Sequence, residues 1–137
     1  MTKQLLEILS IERLKESKVL LDQGCFSGAY YLAGYSLECA LKVCIAKQIN
    51  EHEIPAKSFV NEFYVHDLNR LIKLAGLDKE FADKLRSEPM FAISWNSIKD
   101  WNEGARYKTW AESEAKELYN AIENLKGGML SWIQQYW

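Results

Sequence analysis

Apolar residues recur at intervals of three and four along every long segment of this chain, and no segment alternates as a half-buried strand would. Such spacing places apolar side chains on one face of an α-helix. The chain has 137 residues, a length that fits one domain with one core. The pattern therefore predicts a single all-α domain over residues 1–137.

Capping residues give the bounds of the first two helices. The first is predicted from Thr2 to Gln23 and ends at Gly24, because glycine tolerates the left-handed conformation of a C-cap. The second is predicted from Ser27, as N-cap, to Gln48, and it is apolar nearly all round. Such a helix lies at the centre of a domain or against a second chain. The inward face of the first helix is predicted to carry Leu5, Leu9, Leu14 and Leu21.

The middle of the chain is predicted to form shorter elements. Asn50–Tyr64 is expected to be a loop that has room for one short helical turn. A third helix is predicted at His66–Ala75 and is closed by Gly76, again as a glycine C-cap. A fourth helix begins at Asp78 as N-cap and runs to Ser87, and Pro89–Lys108 is expected to hold a short helix and a loop.

The last helix is predicted to start at a capping box, in which Thr109 and Glu112 satisfy each other's free backbone donors. Gly127 and Gly128 interrupt its apolar stripe at a cost of about 2 kcal/mol relative to two alanines, so we expect a kink there or a separate tail. The predicted core positions of this helix are Ala115, Leu118, Ile122, Leu125, Met129, Trp132, Ile133 and Tyr136.

Charge and cysteine content exclude several classes of function. The net charge of −2 argues against a protein that coats nucleic acid, because such binding needs many cations to neutralise phosphates. Cys25, Cys39 and Cys44 are an odd number and form no Cys-x-x-Cys pair. We expect them to be free thiols in a reducing compartment, with no metal site and no cofactor.

The sequence also argues against a leader and a membrane span. Met1–Leu9 has no basic segment followed by an apolar one, as a signal peptide would. The most apolar stretch, Ala29–Ala46, contains Ser36, Glu38 and Lys42, and charges at that depth would be costly in lipid. We expect a buried helix and a cytoplasmic protein.

Three segments, in this order, resemble the HEPN family. Gly24–Lys42, which is Gly24, five residues and then YYLAGYSLECALK, is similar to the second helix of that family. His66–Leu77 is similar to its third helix, and Trp101–Tyr107 to the arginine segment before its last long helix. The resemblance covers roughly Leu14–Leu125. It implies an antiparallel bundle of four to five helices, often a two-fold dimer. Many members are ribonucleases of toxin–antitoxin and anti-phage systems, and others are accessory domains that bind nucleotides or accompany small nucleotidyltransferases.

The histidine of the family's ribonuclease motif is missing. Those ribonucleases carry Arg-x4–6-His, whereas the positions 111–113 that follow Arg106 hold Ala, Glu and Ser. No histidine follows the other arginines at that spacing: Arg13, Arg70 and Arg86. The usual general acid–base for RNA cleavage is therefore absent from its place, and we assign no catalytic residue. The resemblance then implies a HEPN-like module that binds RNA or a nucleotide, forms a homodimer and has a nucleotidyltransferase partner.

Two alternatives stay open: a divergent, metal-independent ribonuclease in which Arg106 and His66 meet in space, and a structural helical adaptor. The contact of the homodimer is expected at the second helix or at the aromatic surface, since apolar and aromatic residues are abundant there. The residues expected to bind a ligand are Arg106, Tyr107, Glu38, His66 and Lys42.

Each of these residues also has a structural interpretation. Glu38 and Lys42 could be a surface pair worth about 0.3 kcal/mol, or Glu38 could be a buried carboxylate paired with Arg106. His66 could belong to a helix cap instead of contacting an anion. The cations and aromatic rings between Trp101 and Trp110 could hold a phosphate and a base, or could be aromatic core with a structural arginine.

Overall fold

All regular elements in the described part of the chain are helical. The computed structural model describes residues 1–49 and 53–137. Within these ranges it contains α1 (Lys3–Asp22), α2 (Phe26–Ala46), α3 (Lys57–Phe63), α4 (Leu68–Leu74), α5 (Asp78–Ser87), α6 (Pro89–Ile98), a 3-10 helix (Glu103–Tyr107), α7 (Glu112–Glu123) and α8 (Met129–Gln134). The all-α class predicted from periodicity is confirmed.

A three-residue turn joins α1 to α2 and reverses the chain. Gly24 has a φ of +77°, which glycine adopts without the strain that a Cβ would bring. The Cys25 N–H donates to the Leu20 carbonyl at 2.8 Å, and the Gly24 N–H donates to the Leu21 carbonyl at 3.2 Å. These two bonds satisfy carbonyls that the helix end would leave open. The predicted C-cap at Gly24 is confirmed.

The buried face of α1 differs from the prediction. Leu5 is 45% exposed and Leu9 is only half-buried, whereas Leu6 is buried. Leu14 and Leu21 are buried as predicted, but Leu5 and Leu9 were chosen in place of Leu6 because apolar side chains occur on more than one face of this helix. The residues that α1 buries are Leu6, Ser10, Leu14, Ser17 and Leu21. Both buried serines donate to backbone carbonyls of α2, at 2.8 and 2.6 Å, and their small size allows the two helices to approach closely.

The helix at the centre of the fold is α2, as its all-round apolar character predicted. It packs against α1, α4, α7, α8 and the 3-10 helix. Its first helical residue is Phe26, and Ser27 is not the N-cap that we expected. The Ser27 hydroxyl instead accepts a hydrogen bond from the Trp110 N–H at 2.8 Å. Within the described ranges, no helix has the length and apolarity that a bilayer span requires.

The segment between α2 and α5 contains two short helices. The turn expected within Asn50–Tyr64 is α3, and residues 50–52 of that predicted loop lie outside the described residues. Helix α4 begins two residues later than predicted, because Asp67 is its N-cap and accepts from the Arg70 N–H at 2.9 Å. His66 therefore precedes the helix.

Two further predicted caps have different outcomes. Gly76 has a φ of +74°, and the Leu77 N–H donates to the Ile72 carbonyl at 3.1 Å, which confirms the predicted glycine cap. Leu77 is itself the N-cap of α5, so Asp78 is the first helical residue of α5 and not its cap. In the first turn of α5, the Asp78 carboxylate still interacts favourably with the positive end of the helix dipole.

The predicted last helix is two helices, α7 and α8. The capping box at Thr109 is wrong, because the N-cap is Ala111, whose N–H donates to the Glu114 carboxylate at 2.9 Å. Leu125 lies in the break and is 85% exposed, so its predicted place in the core is wrong as well. The rest of the stripe is buried except for Tyr136, which is half-buried, so the break leaves α7 and α8 facing the same core. Gly127, in that break, has a φ of +85°.

Candidate functional site

Trp101 attaches the arginine segment to α2. Its indole lies directly on the helix backbone at Gly34, where an added Cβ would be 2.1 Å from indole Cε2. The Trp101 side chain is buried, and its ring centroid lies 6.1 Å from that of Tyr31 on α2. The 3-10 helix that follows Trp101 carries Arg106 and Tyr107.

A second tryptophan fixes the other end of this segment. Trp110 stacks on Tyr30 of α2 with 3.7 Å between the ring centroids and 12° between the ring planes. Its Nε1–H donates to the Ala105 carbonyl at 3.0 Å. Both tryptophans are therefore structural, as one interpretation of this segment held, and they fix the backbone on either side of Arg106.

Arg106 and Tyr107 themselves face solvent. The guanidinium carbon of Arg106 lies 4.9 Å from the centroid of the Tyr107 ring, and Tyr107 is 80% exposed. Tyr107, first through hydrogen bonding and then through its charge, raises the pKa of Arg106 above its ordinary value, and Tyr31 adds a smaller effect in the same direction. An exposed cation and an exposed aromatic face thus stand together on a rigid base.

A second cluster is centred on Glu38, which is buried on α2. Lys42, one turn further along the same helix, places its Nζ 3.0 Å from Glu38 Oε1. His66 Nδ1 lies 2.7 Å from the same oxygen. The side chains of Glu38 and Lys42 are only 3% and 8% exposed, whereas that of His66 is 46% exposed. The surface pair that was one interpretation is therefore a buried pair with a histidine at its solvent side.

The arrangement defines what His66 can do chemically. Lys42 supplies a positive charge to the buried carboxylate, so Glu38 has an ion partner without a charge on His66. A neutral His66 that donates from Nδ1 keeps Nε2 as a proton acceptor. Glu38 Oε2 is buried and has no hydrogen-bond partner among residues 1–49 and 53–137. The Lys42 ammonium also lies 5.5 Å from the centroid of the Phe63 ring.

The five residues predicted for the site fall into two groups at different positions along α2. Arg106 and Tyr107 lie beside Tyr31, whereas Lys42 and His66 meet at Glu38. Tyr31 and Glu38 are seven positions apart, which is about 10 Å along a helix. No ion pair or hydrogen bond joins Arg106 to Glu38 or to His66, all of which lie in the described ranges. The predicted Glu38–Arg106 pair is therefore wrong.

Tyr31 and Tyr35 connect the two groups. Their ring centroids are 6.0 Å apart, and both rings are half-buried. With Glu38 and Lys42 they recur every three or four residues on one face of α2. That spacing is visible in the sequence, but the two tyrosines are not among the residues predicted for the site.

The buried cysteines do not supply a nucleophile. Burial is the main reason that the pKa values of Cys39 and Cys44 are raised to about 11, so both thiols remain protonated at neutral pH. Within the described ranges, no three His, Cys, Asp or Glu side chains are placed to hold a metal ion. No protein-family model, curated protein or solved structure matches this chain.

Proposed function

We propose that the chain is a HEPN-like accessory module that binds RNA or a nucleotide in the cytoplasm. It acts as a homodimer in a prokaryotic toxin–antitoxin or defence system and is paired with a nucleotidyltransferase. The observation that supports this class of ligand is the exposed Arg106–Tyr107 pair, in which the guanidinium carbon lies 4.9 Å from the ring centroid. The HEPN-like part rests on the sequence resemblance, together with five helices of ten or more residues in the described chain.

The chemistry of this pair suits a nucleotide. An arginine fork can hold two phosphate oxygens at once, and the face of a tyrosine ring can stack on a base of any type. Within residues 1–49 and 53–137, Arg106 forms no ion pair with a carboxylate. Its charge is therefore available to an anionic ligand, whereas the charge of an arginine in a structural ion pair is already neutralised by its carboxylate.

A direct binding titration tests the proposal. A fluorescently labelled single-stranded RNA oligomer and a labelled adenine nucleotide are titrated with the protein at low salt, followed by anisotropy. Arg106→Ala is expected to raise Kd by about tenfold, and Tyr107→Ala by a similar factor. Tyr107→Phe keeps the stacking face and is expected to bind within about twofold of the wild type.

Arg86→Ala is the matched control. Arg86 lies on α5, its side chain is 75% exposed, and it pairs with Asp83, so its removal takes away the same charge outside the candidate site. Equal loss in Arg86→Ala and Arg106→Ala would show only non-specific attraction and would reject the site. Failure of the wild-type protein to bind either probe would reject the ligand class.

The divergent ribonuclease remains the second candidate, and one observation favours it. Buried Glu38 holds the ring of His66 at 2.7 Å and leaves Nε2 facing away from the carboxylate, as a general base requires. The separation of Arg106 from His66 weighs against it, because one phosphate would need both. We expect no cleavage of RNA over hours. Cleavage that His66→Ala abolishes in a folded protein would establish the ribonuclease instead.

A further inference from the structure

The outward face of α1 carries a seam with the spacing of a coiled coil. We define the α1 seam as Leu5, Ile8, Glu12, Lys15 and Val19, which are separated by three, four, three and four residues. All five side chains are exposed, and they lie opposite the face that α1 buries against α2. Ile8 and Val19 are 52% and 56% exposed, although both are β-branched apolar residues of the kind that coiled-coil seams bury.

The two charges in the middle of the seam lack ion partners. The remaining charged residues of α1 pair within the helix: Lys3 with Glu7, Arg13 with Glu16, and Lys18 with Asp22. Glu12 and Lys15 form no ion pair with any residue in ranges 1–49 and 53–137. One unpaired acid and one unpaired base are thus flanked by two exposed apolar residues.

We propose that the α1 seam is the contact between two copies of this chain, with the two α1 helices antiparallel. A two-fold axis midway between positions 13 and 14 places Ile8 against Val19 of the partner subunit. The same axis places Glu12 against Lys15 of the partner subunit, and by symmetry each contact forms twice. Ile8, Glu12, Lys15 and Val19 are therefore complementary to themselves in charge and apolar character, whereas Leu5 faces position 22, beyond the seam.

The direction of pairing follows from the same charges. In a parallel arrangement each seam residue faces its own copy, so Glu12 would face Glu12 and Lys15 would face Lys15. Repulsion between these facing like charges disfavours the parallel arrangement, just as like charges disfavour wrong pairings in natural coiled coils. Only the antiparallel direction pairs the free acid with the free base.

Apolar grooves flank the seam on both sides. One, of about 500 Å³, lies between α1 and α7–α8 and includes Ile11, Tyr119 and Leu125 in its lining. The other, of about 390 Å³, lies between α1 and α2 and includes Leu20 and Leu32. A partner helix laid along the seam covers the edges of both grooves, which would bury part of the exposed Leu125 side chain.

The inference rests on the homodimer of the proposed function and locates its contact on α1. The contact was expected from the sequence at α2 or at the aromatic surface, and most of α2 is buried inside the chain itself. The ligand residues Arg106 and Tyr107 are not part of the seam, so dimer formation and ligand binding can be measured separately.

Charge reversal with rescue tests the pairing. Sedimentation equilibrium between 1 and 300 µM is run on the full chain, on Glu12→Lys, on Lys15→Glu and on the double variant that carries both changes. Each single reversal creates two facing pairs of like charge and is expected to raise the dimer Kd by about tenfold or more. The double variant restores opposite charges and is expected to return Kd to within about threefold of the wild type.

Glu117→Lys, an exposed α7 residue outside the seam, is the matched control, because it makes the same change in net charge and is expected to leave Kd unchanged. Val19→Asp is expected to yield a monomer. A monomeric wild type at 300 µM would overturn the inference, as would a double variant that fails to recover dimerisation while its circular dichroism shows a folded protein. Because RNA titration of the same variants reports on Arg106, failure of the seam and failure of the ligand site give different results.

Discussion

Gly34→Ala is expected to destabilise the fold strongly, although alanine is the better helix former. A Cβ at this position would lie 2.1 Å from Cε2 and 2.2 Å from Nε1 of the Trp101 indole. Carbon atoms in contact normally stay about 3.5 Å apart, so the indole or the helix must move by more than 1 Å on this scale. Trp101 is only 3% exposed and has little room to move.

The expected size of the effect combines two opposing terms. Overpacking a close contact costs about 3 kcal/mol or more when the obstructing group is a rigid ring, and the gain in helix propensity returns about 1 kcal/mol. We therefore expect the free energy of unfolding to fall by about 2 to 3 kcal/mol. Displaced Trp101 would also carry Arg106 with it, so ligand affinity should fall together with stability.

Gly28 offers a matched control on the same helix. A Cβ there meets only Leu20 Cδ1, at 3.1 Å, which is the far end of a flexible side chain. Gly28→Ala should leave stability unchanged or raise it by up to about 1 kcal/mol. Urea denaturation followed by circular dichroism at 222 nm measures both variants. If Gly34→Ala is as stable as Gly28→Ala, the close contact between Trp101 and α2 does not exist.

Two further predictions concern buried polar groups. Lys42→Met should cost about 3 kcal/mol, because it removes the ion partner of buried Glu38, whereas Lys116→Met, at an exposed pair, should cost less than about 0.5 kcal/mol; equal urea midpoints would contradict this. Only Cys25 should react rapidly with a thiol reagent at pH 8, because burial raises the pKa of the other two cysteines to about 11; a count of three fast thiols in native protein would refute it.

The features that were predicted correctly are local in the chain. Gly24 and Gly76 end their helices because a single residue type satisfies a backbone conformation, which requires no knowledge of the rest of the fold. The all-round apolar character of α2 likewise indicated a helix at the centre of the domain or against a second chain, and α2 lies at the centre. Five residues, 124–128, separate α7 from α8 in the structure. From the sequence, Gly127–Gly128 indicated either a kink in one helix or a separate tail, and did not decide between them.

The errors have tertiary causes. Thr109 had the sequence of a cap, but the Trp110 N–H next to it bonds to Ser27, which is 83 residues away. The Glu38–Lys42 pair follows from helical spacing, whereas the bond from His66 joins positions 28 residues apart and could not be found from periodicity. The sequence left Glu38 open to a pair with Lys42 or with Arg106, because nothing in it measures the roughly 10 Å that separates the two groups along α2.

The short connection between α1 and α2 also bears on the kinetics of folding. Only Gln23–Cys25 separate these helices, so little chain entropy is lost when they meet, and such local contacts favour rapid collapse. The hydrogen bond from Cys44 Sγ to the Ile133 carbonyl joins residues 89 positions apart, so α8 can complete the core only after a long loop has closed. Substitutions in the α1–α2 hairpin should therefore slow folding, while those in α8 should mainly accelerate unfolding.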